Sequence, residues 1–297
     1  MYKGIVYMLI SSLCFALINI CVKILSNSNG LFPGIQEYPP YELVFFRSII
    51  SLTICIAIIK ARGIPFFGHN KPWLIIRGIT GATSLTLFFY TLRNLPIAVG
   101  TTIQYMSPIF TILLAIYLQK EKVKHIQWLF FLISLSGVAV LGYFKDPKVV
   151  IEYQWVIVGL ISAFISGIAY NAIMKCKETD APITIVMYFP LIAAPVMLAL
   201  SLINGFVIPV GIEWLLLLAI GVLTQMAQVT MTWAFHADTA EKVAPVKYFG
   251  AIYAVASGYF IFDEELGYYS SIGIVLVLLG VLLNTFFKDL KLRPKRN

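Results

Sequence analysis

The sequence has very little charge. Only 12% of its 297 residues are Asp, Glu, Lys or Arg, whereas hydrophobic residues make up 60% and the mean hydropathy is +0.87. A soluble domain carries about 25% charged residues, so this chain cannot cover itself with a polar surface. The composition predicts an all-α polytopic membrane protein. The net charge of +8 then indicates basic cytoplasmic loops rather than binding to nucleic acid.

Residues that bind metals or act as nucleophiles are also scarce. The three histidines, His69, His125 and His236, are far apart in the sequence, and the four cysteines show no CxxC spacing. No nucleophile elbow or phosphate-binding glycine loop is present. The sequence therefore predicts no enzyme, no metal site, no cofactor and no disulfide framework.

Long apolar runs are abundant instead. About twenty residues suffice to cross a membrane as a helix, and ten such runs are separated by polar residues, proline or glycine. The first run begins close to the N-terminus without a cleavage site, so no removable signal peptide is expected. The predicted spans are 4–25, 41–59, 73–92, 97–118, 127–144, 155–175, 183–203, 214–236, 243–262 and 270–287.

The basic residues predict the orientation. Ten spans place both termini on one side, and with the N-terminus inside, fifteen Lys and Arg residues fall in inner segments. Only Arg93, Lys145 and Lys148 fall in outer loops. Because cytoplasmic loops collect basic residues, both termini are expected in the cytoplasm, with the chain in the inner membrane of a bacterium. Lys23, Arg47, Arg77 and Lys247 lie within or at the ends of spans.

The two halves of the chain resemble each other. Glycines and polar residues of one half recur in the other at offsets of 143 and 152 residues. The matched pairs are Gly78 and Gly221, Tyr105 and Tyr248, Glu121 and Glu264, and Gly137 and Gly280 at the first offset, and Asn19 and Asn171, and Lys23 and Lys175, at the second. Five spans per half is an odd number, so the second half is predicted to be inverted, as in secondary transporters. The predicted units are residues 1–145, residues 150–290 and a basic cytoplasmic tail, 291–297.

Several motifs resemble a known family. They are the segments "FFR" at 45–47, "RGITG" at 77–81, the Pro108 helix ending in Glu121, "GVAVLG" at 137–142, "APVKY" followed by "FDEE", and "GVLL". In this order they resemble the drug/metabolite transporter superfamily, EamA type, over essentially the whole chain. The resemblance implies ten helices in two inverted five-helix repeats around a central cavity. It also implies a protein that carries small metabolites, often amino acids, across the membrane. The chain departs from the pattern at Ala251, the counterpart of Pro108, and at Lys247, where many relatives carry glutamate.

These features predict a secondary transporter that works by alternating access. The expected substrate is an amino acid or a similar amphipathic or nucleoside-type metabolite, such as S-adenosylmethionine. Protons or an exchanged metabolite are expected to drive it, and the lipid bilayer is its other partner. The sequence leaves open a multidrug or cationic-compound exporter and, as a further alternative, a channel-like pore; it does not indicate the oligomeric state.

Polar residues inside the spans are the candidates for the substrate site. Gln104 and Lys247 fall on polar helix faces at helical spacing in the fourth and ninth spans. Lys247 could instead reach the membrane interface with its amine, but Lys242 already marks that boundary, which favours a cavity position. Small hydroxyl residues serve equally well as helix contacts. The predicted substrate-binding residues are Asn19, Tyr90, Gln104, Tyr105, Asn171, Gln225, Gln228, Trp233, Lys247 and Tyr248.

Two ion pairs are predicted as gates. Lys23 and Glu264 fall near the outer ends of their spans, and their repeat counterparts, Lys175 and Glu121, fall at the inner side. Each pair would join the two halves at one mouth of the cavity. Charges at helix ends also commonly mark the interface, and exposed pairs contribute only about 0–1 kcal/mol.

Overall fold

The computed structural model describes residues 3–27, 30–118, 125–143, 151–176, 178–237 and 245–289. These residues form α-helices and short connections, with no strand among them. The helices are α1 (Lys3–Ser26), α2 (Pro40–Arg62), α3 (Lys71–Asn94), α4 (Ile97–Gln104), α5 (Ser107–Leu118), α6 (His125–Tyr143), α7 (Tyr153–Cys176), α8 (Pro182–Asn204), α9 (Glu213–Ala237), α10 (Phe249–Phe262), which follows a 3₁₀ turn at Pro245–Tyr248, and α11 (Tyr268–Asp289).

The ten predicted spans are found as helices. Eight helical stretches, of which the fourth is Ile97–Leu118 through α4 and α5, are long and apolar enough to cross a membrane. The ninth and tenth, Val246–Phe262 and Tyr268–Asn284, are apolar but shorter. Large apolar side chains such as Leu202, Leu215 and Phe260 are exposed on the outside of the bundle. An apolar exterior of this kind suits lipid rather than water.

The fourth span is not the continuous helix that the hydropathy pattern predicts. It is interrupted between Gln104 and Ser107, where the N–H of Tyr105 points to the carbonyls of Thr101 and Thr102, 3.2 and 3.1 Å away. The cause is Pro108, which has no N–H to bond with the carbonyl of Gln104 and whose ring clashes with that carbonyl. The interruption divides the span into the short helix α4 and the longer helix α5.

The ninth span is interrupted as well, although Ala251 stands at the counterpart of Pro108. Its first turn, Pro245–Tyr248, is a 3₁₀ turn, and the α-helix begins only at Phe249. The repeat-matched Tyr105 and Tyr248 have almost the same backbone conformation, with φ/ψ of −67°/−6° and −74°/−7°. The two halves thus place a break at the same matched tyrosine.

Helices of the first half pack mainly against helices of the second half. The most extensive contacts join α1 with α9, α2 with α8, α3 with α7, and α6 with α11. Suppose that each span is replaced by its counterpart in the other half, which lies five spans away along the chain. The contact between α1 and α9 then becomes the contact between α7 and α3, while the α2–α8 and α6–α11 contacts each become themselves again. The halves are therefore interleaved rather than two separate bundles.

The repeat-matched glycines lie where helices of the two halves meet. A Cβ added to Gly78 of α3 would lie 2.6 Å from the carbonyl oxygen of Tyr188 in α8, and one added to Gly221 of α9 would lie 2.6 Å from Ile50 in α2. Gly137 and Gly280 face each other's helices, α11 and α6, with similarly short approaches. Small residues let membrane helices approach closely, which explains why glycine recurs at these positions.

Candidate functional site

A cavity of about 240 Å³ lies at the centre of the bundle. We name the two ends of the molecule after a lysine at each: the Lys23 end, where α1 ends, and the Lys175 end, where α7 ends. The cavity begins near Phe88 and Thr101, and it extends to Ile173, one turn from the Lys175 end of α7. It therefore reaches to within about one turn of both ends.

Three cationic side chains line this cavity: Arg47 of α2, Arg77 of α3 and Lys247 of the 3₁₀ turn before α10. The guanidinium carbon of Arg47 lies 5.5 Å from the ring centroid of Phe189 and 6.0 Å from that of Phe89. The guanidinium of Arg77 lies 5.9 Å from the same Phe189 centroid. Two positive charges thus share one aromatic ring.

Lys247 approaches the cavity from the opposite half of the chain. Its Nζ lies 5.5 Å from the ring centroid of Tyr170, another residue of the cavity wall. Among the described residues, no Asp or Glu lines the cavity. The Nε atoms of Arg47 and Arg77 are buried, and neither has a hydrogen-bond partner in the part of the chain that the structure describes.

A polar wall faces these cations. The amide of Gln104, the last residue of α4, donates to the hydroxyl of Ser166 at 2.9 Å, and its oxygen lies 3.0 Å from the hydroxyl of Ser162. Ser84 of α3 bonds to the backbone of Ser162 at 2.9 Å. These contacts fix the orientation of the Gln104 amide at the point where the fourth span breaks.

The two interruptions meet beside the cavity. The rings of Tyr105 and Tyr248 pack edge to face, with centroids 5.3 Å apart. A Cβ added to Gly250 would lie 2.1 Å from the Tyr105 hydroxyl oxygen, so that position accommodates only glycine while the ring stays where it is. Tyr105 lines the cavity, whereas Tyr248 is buried behind it.

The Lys23 end is closed by an ion pair. Lys23 Nζ lies 3.4 Å from Glu264 Oε1, and both side chains are less than a tenth exposed. Lys23 also donates to the carbonyl of Leu95 at 2.8 Å, and Glu264 Oε2 accepts the backbone N–H of Ile97 at 2.8 Å. The pair therefore ties α1 and the end of α10 to the connection between α3 and α4.

A second carboxylate joins loops at the same end. Glu213, the first residue of α9, accepts the hydroxyl of Tyr38 at 2.6 Å and backbone N–H groups of Gln36 and Val210 at 2.7 and 2.8 Å. Burial, reinforced by this carboxylate, raises the pKa of the Tyr38 phenol. We call this cluster the Glu213 staple.

The Lys175 end has a staple of its own. Asp180, between α7 and α8, accepts the backbone N–H groups of His69 and Asn70, which lie between α2 and α3, and the hydroxyl of Thr179 at 2.7 Å. Burial alone would raise the pKa of the Asp180 carboxyl, but these hydrogen bonds outweigh it and hold the pKa below its ordinary value. We call this cluster the Asp180 staple.

The structure brings together half of the predicted substrate residues. Asn19, Gln104, Tyr105, Gln228 and Lys247 line the cavity.

The other predicted residues lie elsewhere. The amide of Asn171 donates to backbone carbonyls of Thr111 and Gly167, and Gln225 bonds to Ser51 behind the cavity wall. Tyr90 stacks on Trp155 at a centroid distance of 6.4 Å. Trp233 is 53% exposed on the outside of the bundle, where it packs against Tyr7.

The described residues contain one of the two predicted gate pairs. Lys23 and Glu264 are in contact, whereas Glu121 lies outside the described residues and its pairing with Lys175 stays a prediction. The described contact at Lys175 is a hydrogen bond from the Asn70 amide to its carbonyl at 3.3 Å.

Arg47 and Arg77 were missed by the sequence reasoning. Both arginines lie deep within apolar spans, where a charged side chain is costly and marks a functional site by default. That signal was present, but the two residues were assigned only to spans and to motifs of the family resemblance.

Comparison with known proteins gives a consistent result. The family model described as "EamA-like transporter family" matches residues 2–143 and again residues 153–286. The chain is 29% identical to the pseudopaline exporter CntI of Pseudomonas aeruginosa, over 94% of this chain and 95% of that protein. It is 22% identical to the S-adenosylmethionine uptake transporter of Rickettsia prowazekii, over 86% and 85%, and 24% identical to human solute carrier family 35 member G1, over 84% and 70%.

One solved structure shares the fold. A crystal structure of a protein that is 19% identical superposes with a TM-score of 0.59 and covers 96% of this chain and 99% of its own. The similarity extends over both halves, so the helical arrangement described above is that of a complete fold already observed in a crystal.

Proposed function

The chain belongs to the EamA-like transporter family, and we propose that it moves a small metabolite across the membrane by alternating access to the central cavity. Family membership makes it a multi-pass membrane transporter rather than an enzyme. The observation that carries the proposal is the difference between the two ends. At the Lys175 end the cavity reaches Lys247, in the first turn of the ninth span, and the described residues form no ion pair there, whereas the buried Lys23–Glu264 pair closes the Lys23 end.

Two inverted repeats, residues 1–145 and 150–290, are part of the proposal. The exchange of helix contacts, the matched glycine contacts and the matched breaks at Tyr105 and Tyr248 all support them. Such repeats are related by a pseudo-two-fold axis in the membrane plane. With the proposed cytoplasmic termini and basic tail in a bacterial inner membrane, the Lys175 end faces the cytoplasm.

The Lys23–Glu264 pair is the proposed gate of the outer mouth. Opening that mouth must separate the carboxylate of Glu264 from Lys23 and from the N–H of Ile97. By the pseudo-two-fold relation, Lys175 and Glu121 would form the matching gate at the inner mouth when the outer one opens. A carrier needs this reciprocity, because two open mouths at once would make it a channel.

The proposed substrate is an amino acid or a similar amphipathic or nucleoside-type metabolite such as S-adenosylmethionine. The cavity offers aromatic rings, amides and cations within one small space, and this combination suits a molecule with an apolar body and polar groups. Proton coupling or exchange of one metabolite for another would supply the energy.

The primary test is a binding screen followed by transport. Purified protein is heated with single amino acids, nucleosides and S-adenosylmethionine, because a ligand of the folded state raises the melting temperature. Each stabilising compound is then loaded into proteoliposomes for counterflow. A carrier shows saturable uptake that is accelerated by the same compound on the far side. Uptake that rises linearly with concentration would identify a channel and contradict the proposal.

A cross-link tests the gate directly. In a background without Cys14, Cys21, Cys55 and Cys176, Lys23→Cys and Glu264→Cys are joined by a short thiol-reactive linker. Counterflow should stop, substrate binding from the Lys175 end should persist, and cleavage of the linker should restore transport. Each single cysteine variant, treated with the same reagent, is the matched control. Undiminished transport in the cross-linked protein would show that this end does not open.

A further inference from the structure

We infer that the central cavity is an anion site, built by Arg47, Arg77 and Lys247 for a small molecule with at least two negative charges carried by carboxylate or phosphate groups. The inference rests on the proposed function, because it names the substrate class of the same cavity. It also revises that function: among the proposed amphipathic metabolites it favours those with two acidic groups, and it argues against S-adenosylmethionine, whose sulfonium group is positively charged, and against cationic drugs.

The cations of the cavity are energetically costly to bury. Removing a charged group from water is costly unless a partner compensates for it. Contact with an aromatic ring offsets only a small part of that cost. Lys23 shows the alternative within the same chain, because Glu264 and the carbonyl of Leu95 hold its amine. Arg47 and Arg77 instead contact aromatic rings, and among the described residues no carboxylate lines the cavity to compensate their charge.

The guanidinium groups of the two arginines lie close to each other. The two guanidinium groups lie over the Phe189 ring, and the Nε of each is buried without a partner in the described chain. A guanidinium is a planar fork that binds carboxylate and phosphate oxygens through two parallel hydrogen bonds. Two guanidinium groups that line a cavity from neighbouring helices, with no described carboxylate beside them, are what a bound anion would compensate.

Lys247 reaches the cavity from a different part of the chain than the two arginines. Its ammonium lies at the ring of Tyr170 on α7, while the arginines come from α2 and α3. An ammonium is a compact point charge and complements a second acidic group rather than the same planar one. Phenylalanines of the wall, Phe15, Phe88 and Phe89, leave an apolar surface for the body that joins the two groups.

The three cations also affect the transport cycle. When both mouths are closed, water is excluded from the cavity and uncompensated cations become more costly. An anion bound to all three removes that cost, so the loaded protein passes through the closed state more easily than the empty one. The cavity therefore links the charge of its substrate to the movement of the protein.

The test uses four probes that share one benzene ring: isophthalate, phenyl phosphate, benzoate and benzyltrimethylammonium. Melting temperatures of the purified full-length protein are measured at matched ionic strength. Isophthalate or phenyl phosphate should raise the melting temperature most, benzoate less, and benzyltrimethylammonium not at all. The two dianions distinguish a pair of carboxylates from a single phosphate. Equal stabilisation by the cation would overturn the inference.

Three variants locate the site. Arg47→Gln and Arg77→Gln should each weaken binding of the best dianion about tenfold or more, because each removes a charge-assisted hydrogen bond. Arg62→Gln removes the same charge from the exposed end of α2 and should leave affinity unchanged. Equal affinity in all three variants would overturn the inference.

The stability of the unliganded variants separates binding from structure. If the arginines serve a ligand, Arg47→Gln and Arg77→Gln should keep or raise the melting temperature of the empty protein, because an uncompensated charge is removed. A marked fall with unchanged affinity would show a structural role instead. Counterflow separates the two proposals: dianion binding without any transport contradicts the proposed function alone, and saturable transport of cations contradicts the anion site alone.

Discussion

The two ends of the molecule are built alike at their edges and differently at their centres. At each end a buried carboxylate joins two loops: Glu213 at the Lys23 end and Asp180 at the Lys175 end. Only the Lys23 end shows a described ion pair between its spans. The two staples exist at both ends in the same state, so neither has to break when the protein changes state. The Lys23–Glu264 ion pair is made at one end and can be exchanged for a pair at the other end. The comparison therefore separates fixed staples from a movable gate.

The largest effect should come from reversing the charge of the gate. Glu264→Lys would place a second cation beside Lys23 in a buried site, and losing one partner of a buried pair costs about 3–5 kcal/mol. We expect transport to be abolished and the melting temperature to fall. The double variant Lys23→Glu/Glu264→Lys should recover part of both, in a double-mutant cycle of counterflow and thermal unfolding. Additive losses would show that the two residues act independently.

The next effect should appear at Lys247. Lys247→Ala should abolish substrate-dependent thermal stabilisation while the unliganded protein stays folded, because a charge-assisted bond to a ligand contributes about 1.5–3 kcal/mol. Lys247→Arg should retain part of the function, since a planar fork does not replace a compact ammonium. Binding by isothermal titration measures both. Normal transport by the alanine variant would show that the amine lines the cavity without binding the substrate.

The staples should affect stability more than transport. Asp180→Asn and Glu213→Gln each remove a charged acceptor of several hydrogen bonds, so each should lower the free energy of unfolding by about 1–3 kcal/mol. Counterflow per folded molecule should change little. A staple variant that abolished transport without destabilising the protein would break the distinction between staple and gate.

The Asp180 staple also predicts a pH dependence. Because its pKa is lower in the folded state, its contribution is fully present above the unfolded value of about 4 and is lost as the pH falls through the folded value. The stability difference between the wild type and Asp180→Asn should therefore shrink below about pH 4. Thermal unfolding at pH 7 and at acidic pH measures it, and a constant difference would contradict the role of the charge.

The smallest effects are expected at Tyr90 and Trp233. Both were candidates from the sequence, but Tyr90 stacks on Trp155 and Trp233 lies on the outside. Tyr90→Phe and Trp233→Phe should change substrate affinity and stability by less than about 0.5 kcal/mol. A tenfold loss of affinity in either variant would show that the cavity reaches further than its present walls.

The fold was largely predictable because its signals are periodic and additive. Span length follows from membrane thickness, and the repeated glycines follow from close helix contacts that occur twice. The breaks at Tyr105 and Tyr248 were harder to predict, because an apolar run looks the same whether or not its backbone is continuous. Pro108 indicated the first break, but nothing at Ala251 indicated the second, which begins at Pro245 instead.

The site was only partly predictable because a polar side chain in a membrane can serve two purposes. Asn171 and Gln225 satisfy backbone and side-chain groups of neighbouring helices, whereas Asn19 and Gln104 reach the cavity. Composition and spacing are the same for both uses, and only the rotation of the helix decides between them. The charges of Arg47 and Arg77 carried stronger information, because charged groups in the membrane have few structural uses.

The three cations of the cavity also have an electrical consequence. Moving one elementary charge across a membrane potential of 100 mV changes its energy by about 2.3 kcal/mol. A dianion leaving through this cavity from the negative, cytoplasmic side would gain about twice that energy. The voltage alone would then sustain a concentration ratio on the order of a thousandfold. Outward movement of a dianion against a smaller ratio would then need neither of the proposed energy sources, whereas uptake against that ratio would need proton coupling or exchange.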